Sequence, residues 1–218
     1  MNIFAGDPIM EMARWAVIGQ LTAGILHEIN NPMQAVRGAA SLGLEELDDP
    51  EALSMYLDLT LRETERVVTI IERTRRVYRT ETQLPTAVNI HYLLNEILHL
   101  TQKGMVRKNV NVEVASAENV PLFTAVFGEI ALALLCPLLQ MSNAIAEAGG
   151  GALQISATDD GQQIVIDLKT SSVPMPDSGF FLILCPKIVA AYGGEVQQKQ
   201  VGAEAIIHIT LPVQTNRD

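Results

Sequence analysis

Cysteine, aromatic residues, basic charge and long unbroken apolar runs are all scarce in this 218-residue chain. The two cysteines, Cys136 and Cys185, each lie inside an apolar run. They read as reduced core residues and not as a disulfide framework. A chain of this length can bury a sizeable core without such staples. Lysine and arginine number 15 against 25 acidic residues, for a net charge of −10. That balance disfavours nucleic acid as a partner. The longest apolar runs, residues 130–139 and 180–191, are interrupted by Pro137 and by Pro186-Lys187. Neither reaches the roughly 18–20 uninterrupted residues of a spanning helix, so no membrane span is expected. Residues 1–12 carry acids and no basic stretch, which gives no sign of a secretory signal and implies a cytoplasmic chain. Internal repeats and low-complexity tracts are also missing.

What is present is apolar. The chain is 48% hydrophobic, 5% aromatic and 18% charged, which excludes a disordered chain and a coiled-coil rod. A mean hydropathy of +0.21 then requires burial in cores or at a subunit interface. Charge is unevenly spread. Residues 1–60 contain only Arg14 and Arg37 as bases, whereas residues 62–79 hold Arg62, Arg66, Arg73, Arg75, Arg76 and Arg79 against Glu63, Glu65 and Glu72. That run is either a basic patch for an acidic protein partner or a solvated helix face.

The periodicity divides the chain into two domains, residues 1–82 and 83–218. Ile18, Leu21, Ile25, Ile29, Met33 and Val36 recur at three- and four-residue steps and predict a helix over 11–45. Pro50 marks a turn. Residues 51–79 form a second helix with Leu53, Leu57, Leu61, Val68 and Ile71 inward. Two long helices joined by a short turn make an antiparallel hairpin. A hairpin cannot enclose a core alone, so a four-helix bundle in a homodimer is expected. Residues 80–87 read as a linker. Helices follow at 90–103, 124–148 and 180–192, with strands at 110–114, 153–157, 163–168, 195–200 and 205–211. Gly149–Gly151 and Gly193-Gly194 close two of the helices. The fold class is α+β, a helical hairpin followed by an α/β sandwich.

The most informative string runs from Gly19 to Pro32, GQLTAGILHEINNP. At about 100° per residue, His27 lies roughly 200° from Ile25 and from Ile29, so it points away from the apolar stripe. Asn31 shares its face one turn on. Ala23 and Gly24, one turn before, leave room for another domain to approach. Glu28 can reach the imidazole from the side and raise its nucleophilicity. Pro32 should bend the helix. A zinc-binding H-E-x-x-H is excluded because position 31 is Asn. On spacing alone, the string fits either a nucleophilic histidine or an exposed polar patch on a kinked helix.

HEINNP, preceded by GQLTAG, resembles the H-box of sensor histidine kinases, notably the nitrogen-regulator type. The resemblance implies that His27 is the phospho-acceptor and Glu28 its acid/base partner. It also implies that Asn31 orients water for phosphatase activity toward a response regulator. The run Arg62–Arg66 resembles the same family's hairpin, with Arg62 and Arg66 as candidates for partner docking.

Residues 88–213 resemble the family's ATPase domain more weakly. The family's paired asparagines, which bind Mg²⁺ and phosphates, fall on Leu139 and Asn143, leaving Asn143 as a remnant. Leu168 stands at the aspartate that binds adenine, with Thr170 and Ser172 at two glycines. The final glycine-rich box falls on residues 177–182, where only Gly179 remains and Phe180 and Phe181 obstruct a close approach. Only residues 173–176 stand where the family has a long lid. The combination resembles dimeric histidine phosphotransferases of phosphorelays. It implies His27 exchanging phosphoryl groups with the Asp of a response-regulator receiver domain. No cofactor is expected on this chain, and Mg²⁺ is expected on the receiver. No sensor segment is expected before residue 11. The alternatives are a histidine kinase core controlled by a separate sensor, or a non-catalytic regulator-binding module or phosphatase. His91, His99 and His208 read as structural.

Overall fold

A computed structural model describes residues 7–78, 84–117, 120–171, 173–174, 181–202 and 204–213. Two long helices come first, α1 (Pro8–Glu45) and α2 (Pro50–Tyr78). Each starts on an aspartate followed by proline. The Asp7 carboxylate accepts from the Ile9 and Met10 N–H groups, and Asp49 accepts from Glu51 and Ala52. Both arrangements satisfy otherwise orphaned donors of a first turn. Pro32 lies buried within α1, which continues past it to Glu45.

The rest of the chain is a two-layer sandwich. Its elements are β1 (Thr86–Val88), α3 (Ile90–Arg107), β2 (Val110–Ser116), β3 (Phe123–Ala125), α4 (Phe127–Glu147), β4 (Gly151–Asp159), β5 (Gln163–Thr170), α5 (Phe181–Ala191), β6 (Glu195–Val201) and β7 (Glu204–Pro212). Five strands form a sheet in the order β2-β4-β5-β7-β6, with β2 and β4 parallel and the other pairs antiparallel. Strict alternation puts Ile155, Ile166, Leu168, Ile207 and Ile209 into the core.

The expected linker and helix start are corrected in part. Residues 86–88 pair antiparallel with residues 123–125, so 124 and 125 belong to a strand and α4 begins at Phe127. Val126, before α4, has no capping side chain of its own. Its N–H donates to the Tyr192 hydroxyl at 3.0 Å, and that hydroxyl donates to Glu129 at 2.5 Å. α4 is long and apolar enough by length and composition to cross a membrane, since it carries Pro137 without ending, but most of it is buried inside the fold. The glycines after it form a turn. Gly150 has φ +115°, and a Cβ there would fall 2.7 Å from the Asn109 carbonyl oxygen. Cys136 and Cys185 are free and buried, and burial pushes both thiols well above their ordinary range.

The hairpin's apolar surface is used differently from the expectation. Met10, Ala13, Val17, Leu21 and Ile25 on α1 join one core with α3, α4 and α5. Thus α1 packs its stripe on the second domain, while Ile18, Ile29 and Val36 are half-buried and Met33 is exposed. On α2, Leu57, Leu61, Val68 and Ile71 were expected inward but are exposed, between 47% and 62%. Ile70 and Val77 are buried instead. The physical reason is that α2 carries two apolar stripes. The stripe at 70 and 77 meets the rest of this chain, and the one at 57, 61, 68 and 71 follows heptad steps on the outside.

Candidate functional site

The site lies where α1 and α2 meet the second domain. His27 is exposed on α1, as its angle from the stripe requires, and Asn31 is exposed one turn on. Ala23 is exposed and Gly24 half-buried. A Cβ at Gly24 would meet nothing within 4 Å, so the space beside it is open.

Glu28 departs from the expectation. It is 8% exposed, in line with buried Leu21, Ile25 and Pro32 along α1. Its Oε1 pairs with Lys103 Nζ of α3 at 3.2 Å. No hydrogen bond joins it to His27 among the described residues. A carboxylate at this depth needs a partner, and the partner comes from the second domain. The spacing 21–25–28–32 was the available signal, but the ion partner lies too far along the chain for any local pattern.

The arginine run on α2 is divided. Arg62 is exposed, and Arg66 is exposed with its Nη1 3.5 Å from Glu63. Arg73 and Arg76 turn to the second domain. Arg73 Nε lies 3.0 Å from Glu96 Oε1, and Arg76 Nη1 lies 3.6 Å from Glu96 Oε2. Glu96 is 3% exposed. Sequence reasoning missed both Glu96 and Lys103. One further link joins the domains, Lys187 pairing with Asp7 at 2.7 Å, while within the hairpin Arg14 Nη2 donates to the Tyr78 carbonyl at 2.6 Å.

Two clefts flank the Glu28–Lys103 pair. One, of about 340 Å³, has Gln20, Ala23 and Gly24 facing Arg107, Lys108 and Leu139. The other, of about 270 Å³, is lined by Arg66, Arg73 and His99.

The residues at the expected nucleotide positions differ in their surroundings. Leu168 is buried in the core, and half-buried Leu139 lines the larger cleft. The Asn143 Oδ1 accepts from Lys108 Nζ at 2.7 Å. Thr170 is buried at the end of β5. Ser172, Gly179 and Phe180 lie outside the described residues, as does the side chain of Phe181. Among the described residues no group of three or more His, Cys, Asp or Glu is placed to hold a metal. His99 Nδ1 lies 2.8 Å from its own helix's Asn95 carbonyl, and His208 Nδ1 lies 2.6 Å from Asp167 on the neighbouring strand.

The family model of the His Kinase A (phospho-acceptor) domain matches residues 17–83, the span that carries His27, Glu28 and the α1–α2 turn. The chain is histidine kinase-like. Sensor histidine kinase ZraS of Escherichia coli (strain K12) is 22% identical over 227 residues, covering 97% of this chain and 49% of ZraS. Sporulation kinase E of Bacillus subtilis (strain 168) is 22% identical over 220 residues, covering 93% of this chain and 29% of that kinase. Sensory histidine kinase/phosphatase NtrB of Azospirillum brasilense is 26% identical over 220 residues, covering 86% and 54%. The histidine kinase-like chain therefore spans about half or less of the curated relatives it matches. Among solved structures, histidine kinase AdeS of Acinetobacter baumannii superposes with a TM-score of 0.53 at 14% identity, covering 87% of this chain and 98% of that one. Histidine kinase ThkA, in complex with response regulator protein TrrA, gives 0.53 at 23% identity, covering 94% and 64%. The catalytic domain of ThkA alone covers 59% of this chain, with a TM-score of 0.52 at 22% identity. The shared fold is a helical hairpin followed by a mixed sheet domain like the histidine kinase ATPase domain.

Proposed function

We propose that this chain is a cytoplasmic histidine phosphotransfer protein of two-component signalling that works without ATP of its own. The observation that carries this reading is an exposed His27 in an HEINNP string, in a chain whose nucleotide positions are filled otherwise. Leu139 and Leu168 offer no ligand atom to a cation or to adenine. The one remnant oxygen, on Asn143, is engaged by the Lys108 ammonium. The residues present do not fit a Mg²⁺-nucleotide, and the mechanism uses none on this chain.

In the transfer, an unprotonated ring nitrogen of His27 attacks the phosphorus of an aspartyl phosphate on a receiver domain. The N–P bond forms as the P–O bond breaks, and the aspartate carboxylate leaves. The reverse step passes the group to a second receiver. Such transfer depends on in-line placement and charge neutralisation more than on covalent machinery. The receiver supplies Mg²⁺ and the aspartate. This chain supplies the imidazole, the Glu28 carboxylate that holds the opposite ring proton, and the helical surface around Ala23, Gly24, Arg62 and Arg66 on which a receiver sits. Leu57, Leu61, Val68 and Ile71, exposed in the single chain, form the homodimer's bundle seam.

A second reading is an autokinase core, favoured by the names of the matched relatives, which are sensor kinases. The experiment that separates the two mixes the protein with a phosphorylated receiver and, separately, with ATP·Mg²⁺. Transfer to His27 from the receiver alone is expected. Labelling by ATP alone establishes the kinase. Receiver dephosphorylation that survives His27→Ala but not Asn31→Ala establishes a phosphatase. Full regulatory output with His27→Ala establishes a non-catalytic binding module.

A further inference from the structure

The larger cleft between α1 and α3 holds polar groups that neither the fold nor the transfer uses. Its volume of about 340 Å³ falls at the lower end of small-molecule sites, which are mostly apolar with a few placed polar groups. Buried Leu21, Leu100 and Met105, with half-buried Leu139, give it apolar walls. Three cations, Lys103, Arg107 and Lys108, line it against a single carboxylate, Glu28. Lys103 is paired with Glu28, whereas the Lys108 ammonium donates to the neutral amide oxygen of Asn143. Arg107 is exposed and has no ion partner among the described residues. Two positive charges are therefore uncompensated in one cleft of a chain whose net charge is −10. The α4 wall supplies an independent observation. Ser142 is 2% exposed and lines the cleft, yet its hydroxyl makes no hydrogen bond among the described residues. A serine or threonine inside a helix commonly commits its hydroxyl to the carbonyl four residues back. Thr101, in the same cleft, does so with Ile97 at 2.9 Å, and Ser142 does not. A buried hydroxyl without a partner is costly, and an oxygen of a bound ligand would satisfy it.

We propose that this cleft binds a small phosphate monoester. The dianion matches the two uncompensated charges, taking Arg107 and Lys108 at the mouth and the Ser142 hydroxyl inside as donors. The organic group lies against Leu21, Met105 and Leu139. The donor set suits an anion and not a metal ion, because the one carboxylate present is already paired with Lys103. Ala23 and Gly24 form the opposite wall, one turn before His27, and His27 itself does not line the cleft. The site is preformed, since α1 shares one core with α3 and α4 and holds the two walls in place. It goes beyond the phospho-acceptor reading and does not depend on it.

The test titrates the full chain with phenyl phosphate, a dianion with an apolar ring, and follows backbone amide shifts. Shifts are expected at the lining residues of α3 and α4, with a dissociation constant on the order of 1 mM for so small a ligand. Ser142→Ala is expected to weaken binding about tenfold, as loss of a hydrogen bond to a charged group does. Arg107→Gln is expected to weaken it about fivefold, the factor that one exposed charge allows. Both variants are expected to melt as the parent does, because one removes an unpaired hydroxyl and the other an exposed side chain. Phenol, which lacks the charge, and inorganic phosphate, which lacks the ring, are each expected to bind more weakly than the ester. Absence of shifts at the cleft, or affinity unchanged in both variants, overturns the site. Phenol binding as tightly as the ester overturns the anion, and inorganic phosphate binding as tightly overturns the organic group. His27→Ala is expected to bind phenyl phosphate as the parent does. Loss of binding in that variant places the ester at the histidine and overturns the cleft as its site, while leaving the phospho-acceptor reading standing.

Discussion

Truncation of Leu21 to alanine tests whether the hairpin and the second domain share one core. Leu21 is 4% exposed and belongs to the same cluster as residues of α3, α4 and α5. Leucine-to-alanine changes at such sites cost about 2–5 kcal/mol, with the cost set by how far the site can collapse. Leu21 borders the larger cleft between α1 and α3, so water reaches its edge and neighbours can move in. The expected cost is therefore at the low end, about 2–3 kcal/mol. With a urea slope of roughly 2–3 kcal/mol per molar for a chain of this size, the midpoint should fall by about 1 M. The companion variant is Leu61→Ala, at a residue 62% exposed on the outer stripe of α2. It should leave the monomer's stability within about 0.5 kcal/mol. Its effect should appear in sedimentation, as a weaker dimer. A Leu21→Ala shift of only a few tenths molar would refute the shared core. So would a dimer weakened by Leu21→Ala and untouched by Leu61→Ala, because that would exchange the roles of the two stripes.

The other expectations are smaller in scope. Tyr192→Phe removes the hydroxyl that accepts from Val126 and donates to Glu129, and should cost about 1–3 kcal/mol in chemical denaturation. Gly150→Ala forces a side chain onto a left-handed residue against the Asn109 carbonyl and should cost about 1–3 kcal/mol, read as a lower melting temperature. Asp7→Asn should remove part of the acid limb of the stability profile. The Lys187 contact first, then the Met10 N–H, hold the Asp7 carboxyl below its ordinary 3.8. Its contribution is thus present above that value and is lost as pH falls through the lower folded value. A profile below pH 5 that is identical in the two proteins would contradict this assignment.

Much of the fold was legible locally. Amphipathic periods marked the helices, alternation marked the strands, and Pro50 marked the turn between the two long helices. Short elements were harder, because β1 and β3 consist of three residues each and exist only by pairing with one another. The outward direction of His27 followed from the helical angle alone. The burial of Glu28 was not legible because its apolar-stripe position conflicts with its charge. Only a cation from another element resolves that conflict.

The chain's own order of residues determined the two-part architecture and the exposed histidine. Local sequence sufficed because each depends on spacing within one element or on residue chemistry at a named position. The tertiary structure decided which apolar stripe meets which neighbour and where the buried carboxylates find their cations. α2 carries two stripes of similar character, and nothing local ranks them. Packing into the common core buries Ile70 and Val77 and leaves Leu57, Leu61, Val68 and Ile71 outside. Likewise Glu28 and Glu96 are buried only because Lys103, Arg73 and Arg76 arrive from distant parts of the chain, since a charge leaves water only when its partner comes with it.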